Sequence, residues 1–133
     1  MLYKKTRALL LSAVTMPLSL FSMSASSLAI TPKVDCAKAN TTVEMKYCSQ
    51  LSYQAVDRQL NQVYRKVLAT TQGEPRQLLV TGQQAWIKFR DNNCDFEVYL
   101  SRGGTGYEIF RNGCLEKLTT QRTKDLQDYL ASK

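Results

Sequence analysis

Gln83-Gln84-Ala85-Trp86-Ile87-Lys88-Phe89-Arg90-Asp91-Asn92-Asn93-Cys94 is the stretch on which the fold turns. It holds the chain's one tryptophan, an adjacent Arg-Asp pair and a cysteine. Taken as a helix, it places Leu79, Gly82, Trp86, Phe89, Asn93, Phe96 and Leu100 on one stripe at three- and four-residue steps. Arg90 follows Trp86 by one turn, so its aliphatic stem can lie along the indole. Cys94 follows Arg90 by a further turn. The pattern predicts a central core helix; a ligand site built on Trp86 and Arg90 is the competing reading.

Two more helices are expected around it. Upstream, Thr41-Thr42-Val43-Glu44 has the spacing of a capping box. No helix breaker follows until about Thr70, and Tyr53, Val56, Leu60, Val63 and Val67 make an apolar stripe. Asp57 and Asn61, four apart, are placed to bond across a turn. Gly73 and Pro75 suit the end of this helix and the start of the next, which is expected from about Pro75 to Leu100. Downstream, Ser101-Arg102-Gly103-Gly104-Thr105-Gly106 forces a loop. The segment through Asn112-Gly113-Cys114 reads as its continuation. The third helix is expected after it, with Leu115, Leu118, Arg122, Leu126, Tyr129 and Leu130 near one face. No run has the strand period. The expected fold is all-α: three main helices, antiparallel, with two disulfides.

Residues 1–29 read as a secretory signal peptide. Lys4, Lys5 and Arg7 precede an apolar run, and Ser27-Leu28-Ala29 fits the small-x-small cleavage rule, with Ala25 as an alternative site. The run is too short and too rich in Ser and Pro to favour a membrane anchor, and Val34-Asp35-Cys36 is not a lipoprotein box. The expected domain is therefore residues 30–133, secreted and not membrane-spanning after cleavage. Three of the 18 Lys/Arg residues lie in the leader, leaving 15 against 11 Asp/Glu, a net charge of +4. That density, without basic runs interleaved with aromatics, argues against nucleic acid.

All four cysteines, Cys36, Cys48, Cys94 and Cys114, lie in the expected domain. An even count in an exported chain reads as two disulfides, with three connectivities available. Cys36–Cys48 and Cys94–Cys114 are favoured, because each closes a short segment between neighbouring elements. The chain has no histidine and no CxxC, which disfavours zinc and removes the Ser/His and Cys/His catalytic arrangements. A two-carboxylate hydrolase built from Glu44, Asp57, Asp91, Glu97 or Glu108 is formally available, but no pair among them is marked out. No cofactor is expected.

The order Asp35-Cys36…Thr41-Thr42…Glu44…Cys48…Tyr53…Asp57…Leu60-Asn61…Tyr64…Gln83…Trp86…Arg90-Asp91…Cys94…Glu97…Gly103-Gly104…Cys114…Leu118-Thr119…Arg122…Leu126 resembles the LprI-type domain of small exported bacterial proteins, a family named for a lysozyme inhibitor. The resemblance implies an all-helical, disulfide-containing envelope protein, not an enzyme, whose partner is a lysozyme or other peptidoglycan hydrolase. The motif residues Tyr53, Leu60, Tyr64, Trp86, Arg90 and Asp91 are assigned to the scaffold. The disulfide-bounded segment Ser101 to Gly113 is the expected contact region, because a rigid protrusion fills a substrate cleft at low ordering cost. Within it Arg102 is a partner for a target carboxylate, Gly103 and Gly104 shape the tip, Tyr107 suits a sugar or apolar subsite, and Glu108 suits a basic rim. Asp91, Asp95 and Glu97 are expected to form an acidic face at its base. An envelope or immunity-type protein with another partner fits the same fold.

Overall fold

The computed structural model describes residues 34–133. The leader expected at 1–29, and the first residues of the expected domain, lie outside this range. Among the described residues there are three α-helices and one 3₁₀ turn, and no strand: α1 Thr42–Ala69, α2 Gly73–Glu97, the turn Tyr99–Ser101 and α3 Tyr107–Ala131. None of these helices is long and apolar enough to cross a membrane.

Each boundary has a local cause. At the start of α1 the capping box is complete: the Glu44 N–H donates to Thr41 Oγ1 at 3.2 Å, and the Thr41 N–H donates to Glu44 Oε2 at 3.1 Å. These bonds favour the charged form of Glu44, the Thr41 backbone bond most, and hold its carboxyl below the usual range. At the other end the Thr71 hydroxyl donates to the Val67 carbonyl at 2.6 Å, and Arg76 of α2 donates to the Leu68 carbonyl. Carbonyls left unpaired by the helix end are thus satisfied. Gly73 sits at φ +63°, a conformation that costs glycine little and other residues more.

Side-chain pairings fix the helix register. Between α1 and α3 they climb together: Lys46 with Glu108, Ser49 with Asn112, then Leu60, Val63 and Val67 with Leu126. Between α2 and α3 they run in opposite order: Gln83 with Arg122, Cys94 with Cys114, Asp95 with Arg111. The disulfides are Cys36–Cys48 and Cys94–Cys114, and no cysteine is free among the described residues.

The core has two apolar parts. Leu60, Val63, Val67 and Leu126 form one, with half-buried Tyr64, Leu79, Trp86 and Leu130 packed on it. Cys94, Cys114 and Leu115 form the other, with Tyr53 and Leu118 alongside.

Two expectations need correcting. The buried stripe of α2 is Leu79, Gln83, Trp86, Arg90 and Cys94, rotated from the one inferred by hydrophobicity; Phe89, Phe96 and Leu100 face solvent, the last at 97 % exposure. The cause is the bond to Cys114 together with the cross-helix partners of Gln83 and Arg90, which turn that face inward. Second, α3 begins at Tyr107 rather than after Cys114. Half of the segment expected to be loop is helix, and Gly113 is tolerated inside it.

Candidate functional site

The Trp86–Arg90–Asp91 motif converges at mid-bundle. Arg90 is 6 % exposed. Its Nη1 donates to Asp57 Oδ1 at 3.3 Å and to Thr119 Oγ1 at 3.3 Å, and its Nε donates to Asp91 Oδ1 at 2.9 Å. The guanidinium stands 5.2 Å from the Trp86 ring centroid and 5.6 Å from that of Tyr53. One planar cation therefore joins all three helices, using its fork for hydrogen bonds and its faces for aromatic contact. Arg122 extends the arrangement, donating to Gln83 Oε1 at 2.9 Å and lying 6.0 Å from Trp86. By position along each helix this polar layer separates the two apolar clusters. The cation is enclosed, and no polar side-chain atom buried among the described residues lacks a partner.

Gln83, Thr119 and Thr123 are buried with it, the Thr123 hydroxyl donating to the Thr119 carbonyl at 2.8 Å. Hydrophobic periodicity passes over such residues. The signal that was available is their position, one helical turn from Trp86, Leu115 and Leu126 on the same faces.

The exposed chemistry gathers where α2 hands over to α3. Ser101 to Gly104 closes with the Gly104 N–H on the Ser101 carbonyl at 3.0 Å. Arg102 at φ −59°, ψ 135° and Gly103 at φ +80° give it the form of a type II turn, which demands glycine at the third position. A Cβ on Gly104 would meet the Ser101 oxygen at 3.2 Å. Arg102 thus stands at a tip shaped by two glycines, with its guanidinium 4.9 Å from the Tyr99 ring centroid. On the same segment between Cys94 and Cys114, Phe96, Tyr99, Leu100 and Phe110 are exposed. The Cys94–Cys114 bond closes the base of this segment.

Tyr107 and Glu108 are placed differently from Arg102. The Tyr107 hydroxyl donates to Asp95 Oδ1 at 3.4 Å, and Glu108 pairs with Lys46 of α1. Arg111, which sequence reasoning missed, donates to Asp95 at 2.6 Å and holds that carboxyl below the usual range. The expected acidic face is therefore largely neutralised: Asp91 is paired with Arg90 and Asp95 with Arg111.

A family model described as "Lysozyme inhibitor LprI" matches residues 35–126. An uncharacterized protein of Rhizobium meliloti is 32 % identical over 114 residues, covering 76 % of this chain and 82 % of that protein. No solved structure matches the chain.

Proposed function

This chain belongs to the LprI family of lysozyme inhibitors, and from that premise we propose that it is a periplasmic or secreted binding protein, without catalytic activity, that blocks the substrate cleft of a lysozyme-type peptidoglycan hydrolase. The contact surface in this reading is the α2–α3 handover, with Arg102 on its Gly103–Gly104 turn at the centre and Tyr107 and Glu108 at the margin. One observation carries the choice of surface. Leu100 and Phe96, 97 % and 82 % exposed, lie with Arg102 on the segment that the Cys94–Cys114 disulfide closes. Large apolar side chains, an aromatic-backed arginine and a preformed backbone are what interface hot spots are made of. Preorganisation spares the ordering cost that a flexible loop meets on binding. Arg102 supplies the group suited to a glycosidase carboxylate.

A second reading has its own support. With Asp91, Asp95 and Glu108 already paired to cations of this chain, the handover surface is more apolar than acidic. That suits an envelope or immunity-type partner as well as a basic lysozyme.

Lysis assays with C-type, G-type and I-type lysozymes separate the two. The inhibitor reading expects stoichiometric inhibition of one class by the oxidised protein, lost in Leu100→Ser/Arg102→Ala and retained in Arg58→Ala, an exposed position of α1 outside the disulfide-closed segment. No inhibition of any class leaves the second reading. Inhibition that survives the double variant keeps the activity and moves the surface.

A further inference from the structure

The first turns of α3 face the third and fourth turns of α1 across an open cleft of about 440 Å³. Its lining differs from the apolar handover. Gln50 and Gln54 come from α1 and Asn112 from α3, with the rings of Tyr53 and Tyr107 between them and buried Leu115 at the base. Among the described residues the side-chain amides of Gln50 and Gln54 make no hydrogen bond, while Asn112 Nδ2 donates to Ser49 Oγ at 3.1 Å and keeps its carbonyl oxygen available.

The charges at this cleft cancel. Glu108 is held by Lys46, and Arg111 by Asp95. Each charge at the cleft already has a partner of opposite sign, so a phosphate, an acidic sugar or an ammonium would compete with an existing ion pair there. What the cleft offers is amide donors and acceptors beside aromatic rings. These groups pair with hydroxyls and amides and pack against the C–H faces of a pyranose.

We propose that this cleft binds a neutral amido sugar of the N-acetylhexosamine class. The acetamido group meets the Gln50, Gln54 and Asn112 amides, and the sugar ring lies along Tyr53 and Tyr107. Binding of this kind places the protein on a glycan strand and leaves Arg102 and the Gly103–Gly104 turn free, while Tyr107 and Glu108 are shared with the margin of the proposed contact surface. It does not depend on any hydrolase being the partner.

The test is a titration of the isotope-labelled, disulfide-intact protein with tri-N-acetylchitotriose, followed by side-chain and backbone amide resonances, with maltotriose as a neutral sugar lacking amides. Saturable shifts are expected at the side chains of Gln50, Gln54 and Asn112 and at the Tyr107 backbone. Gln50→Ala/Gln54→Ala is expected to weaken them by about tenfold or more, the scale of losing one or two hydrogen-bonding groups. Both glutamines are exposed and make no side-chain hydrogen bond among the described residues, so the fold is retained, with an unchanged Trp86 indole resonance as the check. Absence of shifts at the cleft, shifts that the double variant retains, or an equal response to maltotriose each overturns the proposal. No lysozyme takes part, so failure here and failure of the inhibitor reading are separate results.

Discussion

Arg90 draws the most recognisable residues of the sequence into one joint between the three helices. Its cation is enclosed, but both carboxylate partners keep water access, with side-chain exposures of 37 % for Asp57 and 42 % for Asp91. Removing it therefore strands less charge than breaking a fully buried pair, for which the cost is about 3–5 kcal/mol. Arg90→Met is expected to destabilise by about 2–3 kcal/mol in urea unfolding, with Arg90→Lys recovering only part, since an ammonium cannot bridge Asp57, Asp91 and Thr119 from one plane. An unchanged midpoint would show that the three helices do not need this joint. Asp95 gives a pH prediction. The Arg111 hydrogen bond lowers its folded pKa, so its contribution is present above the unfolded carboxylate value of about 3.9. That contribution disappears as the pH falls through the depressed folded value. Asp95→Asn should flatten the acid limb of stability below about pH 4 and leave the neutral-to-basic limb parallel to wild type. The sequence announced Trp86, Arg90 and Asp91 as a unit, but not Gln83 or Thr119, because polarity argues against burial until the partner across the bundle is known.

At the level of elements, α1 was legible from its capping box, unbroken length and stripe of Leu60, Val63 and Val67. In α2 and α3 local signals met tertiary constraints and lost. Phe89, Phe96 and Leu100 are the more hydrophobic choice for an inward face, yet a covalent bond at Cys94 and an ion pair at Arg90 set the rotation. Asn112-Gly113 reads as a break, yet α3 runs through it because Asn112 bonds to Ser49 of α1 and Cys114 to α2. The glycine is then a local weakness. A Cβ built on Gly113 meets nothing within 4 Å, and its φ is not in the left-handed region. Gly113→Ala is accordingly expected to stabilise by about 0.5–1 kcal/mol, by removing backbone freedom from the unfolded chain. A loss of stability would mean that the helix is strained at this point.

For the whole molecule the disulfide-linked helical architecture followed from the sequence, while the division of its surface did not, since that depends on which carboxylates find cations across helix boundaries. The net charge of +4 carried by residues 30–133 bears on partner choice. Animal lysozymes are basic, so long-range repulsion opposes encounter. Raising ionic strength from about 0.01 to 0.15 M shortens the screening length from about 30 to 8 Å. Association with a basic target should therefore quicken with salt in stopped-flow or surface-based kinetics; slowing would reveal an acidic contact face. The order of the disulfides has a different consequence, one of timing. The first cysteine is bonded to the second and the third to the fourth, 12 and 20 residues apart. A chain entering an oxidising compartment N-terminus first presents Cys36 with Cys48 before either can meet Cys94. Cys94 then waits only for Cys114. Pairing by order of arrival is already the native pairing, so secretion in a strain lacking disulfide isomerase should give an undiminished yield of oxidised protein, whereas accumulation of shuffled isomers would show that arrival does not set the order.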